Sequence, residues 1–191
     1  PGWRLRQSRM SMLETSLLVP RPLDEVFSFF AEAGNLQRIT PPWVDFRIVT
    51  PLPIEMRVGA RIDYRLRVHG VPISWRTEIT AWEPPFRFID TQLTGPYRRW
   101  IHSHRFREAD GGTWVDDQVD FAVPGGWPVE RLFVRRDLSR IFLHRQHGVV
   151  AVLVDDGQPG RSRFGQPPHH LGGVRGVRDQ EDVIIGVQVG D

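Results

Sequence analysis

Two histidines at alternate positions, His102 and His104, are the residues of this sequence whose spacing is best suited to chemistry. Successive side chains of a β-strand point to opposite faces, so both imidazole rings would lie on one face of a strand. A tight turn after Glu108 would return the chain as a second strand. If Glu108 then pairs with Thr113, His104 lies opposite Asp117. The pattern therefore predicts two imidazoles and a carboxylate on one face, among aromatic side chains.

These side chains are compatible with two kinds of chemistry. Two histidines and one carboxylate form a common type of transition-metal site. The His104–Asp117 pair could instead act as a general acid or base, because a neighbouring carboxylate orients an imidazole and raises its basicity. A third interpretation is a charge-paired polar couple in the wall of a binding pocket. We favour the pocket wall and expect no metal and no other cofactor, because the carboxylate is placed only by an inferred register.

The composition excludes several kinds of catalysis. The chain has 191 residues, which is enough for one domain with a substantial core. It contains no cysteine, and all 25 of its basic residues are arginine. Disulfides, thiolate catalysis, Schiff-base chemistry and a Walker-type phosphate loop are therefore excluded. The arginine-only usage is typical of a GC-rich bacterial genome.

The charge pattern argues against a nucleic-acid partner. The net charge is only +2, and the pI of 9.9 reflects the scarcity of groups that titrate above neutral pH. Arginines alternate with acidic residues, whereas a nucleic-acid binder clusters its basic residues on one face. No apolar run is long enough to span a membrane, and the first ten residues lack the apolar core of a signal peptide. We expect a cytoplasmic protein without stable membrane insertion, and the oligomeric state stays open.

Periodicity and turn residues predict an α+β domain. A first strand over residues 13–19 is followed by a helix from Pro22 to about Ala33, which Gly34 and Asn35 end, and by a short helix over Leu36–Ile39. Six further strands follow; the first four are Trp43–Thr50, Arg61–His69, Ile73–Trp82 and Phe86–Leu93, and the histidine-bearing pair completes the set. Strict alternation in several of them indicates an antiparallel sheet with one buried face.

A long helix is predicted over Val129–Val154. Its apolar stripe, which must pack on the concave face of the sheet, comprises Leu132, Phe133, Leu138, Ile141, Phe142, Arg145, Val149 and Val152. We divide the chain into an N-terminal extension (residues 1–11), a domain (12–154) and a Gly- and Arg-rich tail (155–191). The tail is expected to be mostly disordered, and only Val183–Val189 could pair as a strand. His169 and His170 lie in this tail and are expected to be solvated.

Three strings, GPYRRWIHSHRF, DQVDFAVPGG and LSRIFLHR, resemble the SRPBCC superfamily of START-like, helix-grip proteins. The resemblance covers roughly Met12–Leu153 and is nearest to bacterial single-domain members that are called ligand-binding or polyketide-cyclase-like. It implies a curved antiparallel sheet of about seven strands wrapped around a long C-terminal helix, with two short helices between strands 1 and 2. A hydrophobic cavity is expected between sheet and helix. Members usually have Tyr where this chain has Phe121, so a role for that hydroxyl is absent here.

The function that the resemblance and the residues favour is binding of a small hydrophobic molecule that is lipid-, polyketide- or isoprenoid-like. The alternatives are a cyclase or dehydratase that uses His104 and Asp117 as its acid–base pair, and an interaction module that partners a separate enzyme through the tail. Binding without catalysis is preferred, since no dedicated catalytic motif is present. The expected cavity residues are Tyr64, Trp75, Phe88, Asp90, Gln92, Trp100, His102, His104, Asp117, Phe121, Phe142 and Arg145.

Overall fold

The computed structural model describes residues 10–155 and 185–190, and these form one antiparallel sheet with helices on one side. The strands are β1 Ser11–Val19, β2 Arg47–Ile48, β3 Arg61–Val68, β4 Val71–Glu83, β5 Arg87–Thr94, β6 Arg99–Ala109, β7 Gly112–Ala122 and β8 Ile185–Gly190. Their order across the sheet is β2-β3-β4-β5-β6-β7-β1-β8. The helices are α1 Leu23–Ala31, α2 Ala33–Ile39 and α3 Arg135–Val150. The helix-grip fold expected from the sequence is confirmed, with two short helices between β1 and β2.

The eighth strand comes from the C-terminal end of the chain. β8 pairs antiparallel with β1, from Leu17 opposite Ile185 to Met12 opposite Gly190. This strand overlaps the segment Val183–Val189, which was predicted as the only part of the tail able to pair, and ends one residue beyond it. The remainder of the predicted tail, residues 156–184 and 191, and the first nine residues lie outside the described part of the chain.

A continuous helical segment over residues 127–155, hereafter the C-terminal helix, covers the sheet. It comprises a first turn Trp127–Val129, a wider π-type turn Glu130–Val134, the α-helix α3 and a second wide turn Ala151–Asp155. The predicted stripe is correct for Leu138, Phe142 and Val149, which are buried. It is wrong for Leu132 and Phe133, which are 68% and 60% exposed. At about 100° per residue, even a regular α-helix places Leu132 and Phe133 more than about 100° around the axis from Leu138, so the predicted stripe was too wide at its N-terminal end.

Two contacts fix the C-terminal helix to the rest of the domain. The buried carboxylate of Glu130 accepts hydrogen bonds from Ser11 Oγ on β1 at 2.5 Å and from Arg135 Nε at 2.8 Å. Further along, Gly148 faces α2 so closely that a Cβ there would lie 3.0 Å from the Cβ of Ile39. The absence of a side chain at Gly148 lets α2 and α3 approach each other, which closes one end of the space beneath the helix.

Two boundaries differ from the sequence prediction. Gly34 and Asn35 were expected to end the first helix, but they lie within α2, and the break falls at Glu32, whose backbone is extended. The Asn35 amide donates to the carbonyl of Phe29 at 2.9 Å and so stabilises the end of α1. The strand predicted over Trp43–Thr50 is reduced to two residues, because a 3-10 turn at Pro42–Val44 and a left-handed Asp45 precede it.

Candidate functional site

A cavity of about 430 Å³ lies between the sheet and the C-terminal helix. The described core contains three hydrophobic clusters, which include Phe88, Trp100 and Tyr64 respectively. The cavity borders all three clusters. Its wall is mostly apolar. The charged side chains on it are Asp90, His102, His104, Asp117, Asp137 and Arg145. A cavity of this size falls in the range of about 300–1,000 Å³ that is typical of small-molecule sites.

The β6–β7 hairpin positions the polar side chains as the sequence predicted. Glu108 pairs with Thr113 and His104 lies opposite Asp117. His102 lies opposite Val119 in the same register. A tight local turn fixes this pairing, and strand alternation then directs both imidazoles to the cavity.

The two imidazole rings lie between two carboxylates. The ring centroids of His102 and His104 are 3.8 Å apart. Asp117 Oδ1 is 2.7 Å from His104 Nδ1 and 3.4 Å from His102 Nε2. Asp90 Oδ2 is 3.3 Å from His104 Nε2 and 3.5 Å from His102 Nδ1. Each histidine therefore has one carboxylate at each ring nitrogen, and we call these four residues the His/Asp cluster.

Neighbouring side chains hold the cluster in place. Thr77 donates its hydroxyl to Asp90 Oδ1 at 3.1 Å. The Phe88 ring stacks on His104 with centroids 4.1 Å apart, and the Phe142 ring lies 5.4 Å from His102. Aromatic walls exclude water from the imidazoles, which strengthens electrostatic interactions within the cluster.

The two histidines differ in their affinity for a proton. Burial alone lowers the pKa of His104, but the charges of Asp117 and Asp90 outweigh it and raise the pKa to about 9. Burial, together with the charge of His104, lowers the pKa of His102 below its ordinary value. Burial opposes ionisation of Asp117 and Asp90, yet contacts with the histidines hold the pKa of both carboxyl groups below the usual range. At neutral pH the cluster therefore has two carboxylates, one imidazolium and one neutral imidazole.

Arg145 brings a second positive charge to the cavity from α3. Burial lowers its pKa, while the carboxylates of Asp117 and Asp90 act in the opposite direction, and its guanidinium carbon lies 5.4 Å from the Phe142 ring centroid. Its buried Nε has no hydrogen-bond partner among the residues that the structure describes. With Arg145 charged, the positive and negative charges around the cluster balance.

Ten of the twelve predicted cavity residues line the cavity. They are Tyr64, Trp75, Phe88, Asp90, Trp100, His102, His104, Asp117, Phe142 and Arg145. Trp75 and Trp100 contact each other edge to face at 5.2 Å and form an aromatic wall. Alternation along the strands was sufficient to place these side chains on the inner face.

The structure places the other two predicted residues elsewhere. The Gln92 amide donates to the Tyr97 carbonyl at 2.7 Å and accepts from the Tyr97 backbone N–H at 3.3 Å, so it closes the β5–β6 connection instead of facing the cavity. Phe121 lies on the expected face but is completely buried in the core against Trp100. Neither residue lines the cavity.

Several residues in or beside the cavity were not among the predicted ones, and Thr77, Tyr97 and Asn35 show why. Thr77 alternates with apolar residues on β4, so a polar residue on the inner face was visible in the pattern. Tyr97 lies in the connection before β6 and packs on Trp100 with centroids 4.7 Å apart, and no periodicity covers that connection. Asn35 lines the cavity from α2, and no pattern in the sequence pointed to it.

Fold and site together define a class of protein, an α+β helix-grip domain with an apolar cavity under its C-terminal helix. Residues 19–149 match the family model described as polyketide cyclase / dehydrase and lipid transport. The chain belongs to this family, as the resemblance to SRPBCC proteins implied. No curated protein matches the sequence.

Solved structures support the same fold. The chain is similar to the Zhui aromatase/cyclase from Streptomyces sp. R1128, with 17% identity, a TM-score of 0.62 and coverage of 79% of this chain and 98% of that one. It is also similar to Ara h 8.0201, with 15% identity, a TM-score of 0.58 and coverage of 77% and 99%. Protein Ms6760 from Mycobacterium smegmatis gives 18% identity, a TM-score of 0.58 and coverage of 76% and 92%. At these identities the likeness shows the fold alone. Among the described residues, no helix has the length and apolar character needed to cross a membrane.

Proposed function

We propose that the protein binds one small, mostly hydrophobic molecule in the cavity beneath the C-terminal helix. The observation that carries the proposal is the cavity itself, whose wall is apolar apart from the His/Asp cluster and a few other polar groups. Such a wall stabilises an apolar body by removing it from water, while the few polar groups fix its orientation. The family's association with lipid transport and polyketide chemistry supports the same kind of ligand. The cytoplasm is the location that we expect for this activity.

The polar side of the cavity favours a ligand that carries at least one oxygen. The Nε of Arg145 is buried without a hydrogen-bond partner among the described residues, and a buried unpaired donor is costly. A carbonyl, phenol or carboxylate oxygen would satisfy it. The proposed ligand is therefore a polyketide-like, isoprenoid-like or lipid molecule with an oxygenated end near Arg145 and the His/Asp cluster.

A neutral fluorescent probe tests the proposal before the natural ligand is known. N-phenyl-1-naphthylamine fluoresces strongly only in an apolar environment, and we expect saturable uptake of one probe molecule per chain. Oxygenated apolar compounds, such as long-chain 2-ketones, should displace it more effectively than alkanes of equal length. Absence of saturable uptake by folded protein would refute the proposal.

Catalysis is the second candidate, and the family description supports it directly. In a dehydration, a carboxylate of the cluster would take the proton next to a ketone, and the His104 imidazolium would protonate the departing hydroxyl, which leaves as water. The carboxylic acid would then return its proton to His104. Both ring nitrogens of His104 already face carboxylates, at 2.7 and 3.3 Å, so the substrate hydroxyl must compete for this proton. Because of this competition for the proton, we place ligand binding ahead of catalysis as the proposed function. No observation among the described residues favours an interaction module that acts through the tail.

His104→Ala separates the two candidates. With 4-hydroxydecan-2-one as the probe substrate, a dehydratase forms the conjugated enone, whose appearance is followed by ultraviolet absorption. If His104 is catalytic, the variant loses turnover by about 100-fold or more while probe binding stays within a few-fold of the original. Equal losses of binding and turnover would make His104 a recognition residue, and absence of turnover in the unaltered protein would remove this candidate for this substrate class.

A further inference from the structure

Three residues of the His/Asp cluster have the spacing of metal ligands. One ligand atom each from Asp90, His102 and His104 lies within 4.8 Å of the other two. Asp90 Oδ2 is 3.5 Å from His102 Nδ1 and 3.3 Å from His104 Nε2. Metal–ligand bonds of about 2.0–2.2 Å place neighbouring ligand atoms about 3–3.5 Å apart. These atoms could therefore close on a common ion with small shifts.

Asp117 lies where a carboxylate would support metal-bound histidines without binding the ion itself. Its Oδ1 approaches the opposite ring nitrogens, His104 Nδ1 at 2.7 Å and His102 Nε2 at 3.4 Å. Metal-bound histidines commonly donate their other N–H to a carboxylate, which fixes the tautomer and the ring orientation. Thr77 contacts the other oxygen of Asp90, Oδ1, and so leaves Oδ2 directed at the imidazoles.

The cluster is incompletely satisfied by hydrogen bonds among the described residues. The buried atoms His102 Nε2, His104 Nδ1 and Asp117 Oδ1 lack an aligned hydrogen bond, although the contact between the last two is only 2.7 Å. A small rotation of the imidazoles toward a common ion on the Asp90 side would also reorient their other N–H groups relative to Asp117.

The charge and position of the site also suit a cation. An ion that binds here displaces the proton of His104, and the two carboxylates and Arg145 then leave one net negative charge to face the ion. All three ligand residues and Asp117 line the cavity, so coordination positions not taken by protein would face its interior. The ligands lie on the paired strands β5 and β6, which are rigid supports for a defined geometry.

We propose that Asp90, His102 and His104 bind one divalent first-row transition-metal ion, with Asp117 orienting both imidazoles. The set of two histidines and one carboxylate with open positions is the arrangement that favours Fe²⁺, and it also suits Zn²⁺. The open positions would take an oxygen of a molecule in the cavity. From the sequence, Asp117 is the candidate for the third ligand and a metal is disfavoured; the geometry of the cluster gives the ligand position to Asp90 and an outer position to Asp117. The metal-site proposal rests on the geometry of the His/Asp cluster and does not depend on binding of the proposed hydrophobic molecule.

Zinc binding to the full, tag-free chain tests the proposal by isothermal titration calorimetry after removal of metal with a chelator. We expect one high-affinity Zn²⁺ per chain. His104→Ala should weaken binding by more than about 100-fold, and Asp117→Asn by about 10- to 100-fold, as expected for a ligand and an outer partner. Co²⁺ provides a second readout, because its visible spectrum should change in Asp117→Asn if this residue orients the imidazoles.

Two control variants test whether other histidines bind the zinc ion. His147→Ala removes an exposed histidine of α3, and a joint replacement of His169 and His170 removes those outside the described residues. Both should keep the affinity. Asp90→Asn, which preserves side-chain shape, replaces His104→Ala if that variant fails to fold by circular dichroism. Absence of binding, or unchanged affinity in the folded ligand variants, overturns the proposal, as does loss of binding in the His169 and His170 variant alone.

Discussion

Asp117→Asn is expected to lower the free energy of unfolding by about 3 kcal/mol in metal-free protein at neutral pH. The physical reason is that Asp117 is the nearer of two counter-charges for a protonated His104, with 2.7 Å between Oδ1 and Nδ1. An asparagine leaves the imidazolium buried beside one carboxylate instead of two. Urea unfolding followed by circular dichroism in the presence of a chelator measures the change.

The neighbouring residue supplies the control. Asp116 lies on the same strand but on the opposite face, where it contacts Arg107 at 2.9 Å and accepts a hydrogen bond from Ser16. Because Arg107 is largely exposed, Asp116→Asn should cost only about 1 kcal/mol or less. Similar losses in both variants would show that the cluster does not hold a buried ion pair.

Ile141→Trp is expected to abolish uptake of N-phenyl-1-naphthylamine, with a loss of at least about 100-fold in affinity. Ile141 lines the cavity from α3, and the larger indole would occupy space that a ligand needs. The domain should remain folded because the side chain can enter an existing cavity instead of a packed core. Fluorescence titration gives the affinity, and thermal unfolding checks the fold.

Leu143→Trp is the matched variant on the same helix. Leu143 is 40% exposed and does not line the cavity, so an indole there should leave probe affinity within a few-fold of the original. If the two variants bind equally well, the probe sits on the protein surface and the cavity is not the binding site.

The sequence predicted those parts of the site that depend on local geometry. A tight turn and strict alternation determined the β6–β7 register, so the contact between His104 and Asp117 followed from the residues alone. The contact of Asp90 with both histidines did not follow, because the β5–β6 register sets it and the connection between these strands has no periodicity. The face of Asp90 could be predicted, but its partner could not.

The errors also have identifiable physical causes. Leu132 and Phe133 were assigned to the buried stripe although a regular helical period of about 100° per residue places them on a different face from Leu138, so the stripe was drawn too wide. The sequence placed Gln92 in the cavity by alternation, yet its amide binds the Tyr97 backbone. Packing distinguishes a cavity wall from a filled core, and packing density is not encoded in a pattern of side-chain types. For that reason Phe121 was predicted on the correct face, yet it lies in the packed core and does not line the cavity.

Mass spectrometry of the protein purified under native conditions from its own host tests the central claim most directly. We predict a bound, mostly apolar molecule that contains oxygen, at up to one per chain, released on denaturation. It should be present in Leu143→Trp and absent from Ile141→Trp. A chain that carries no such molecule in any preparation, and that also fails to take up apolar compounds added in excess, would contradict the account.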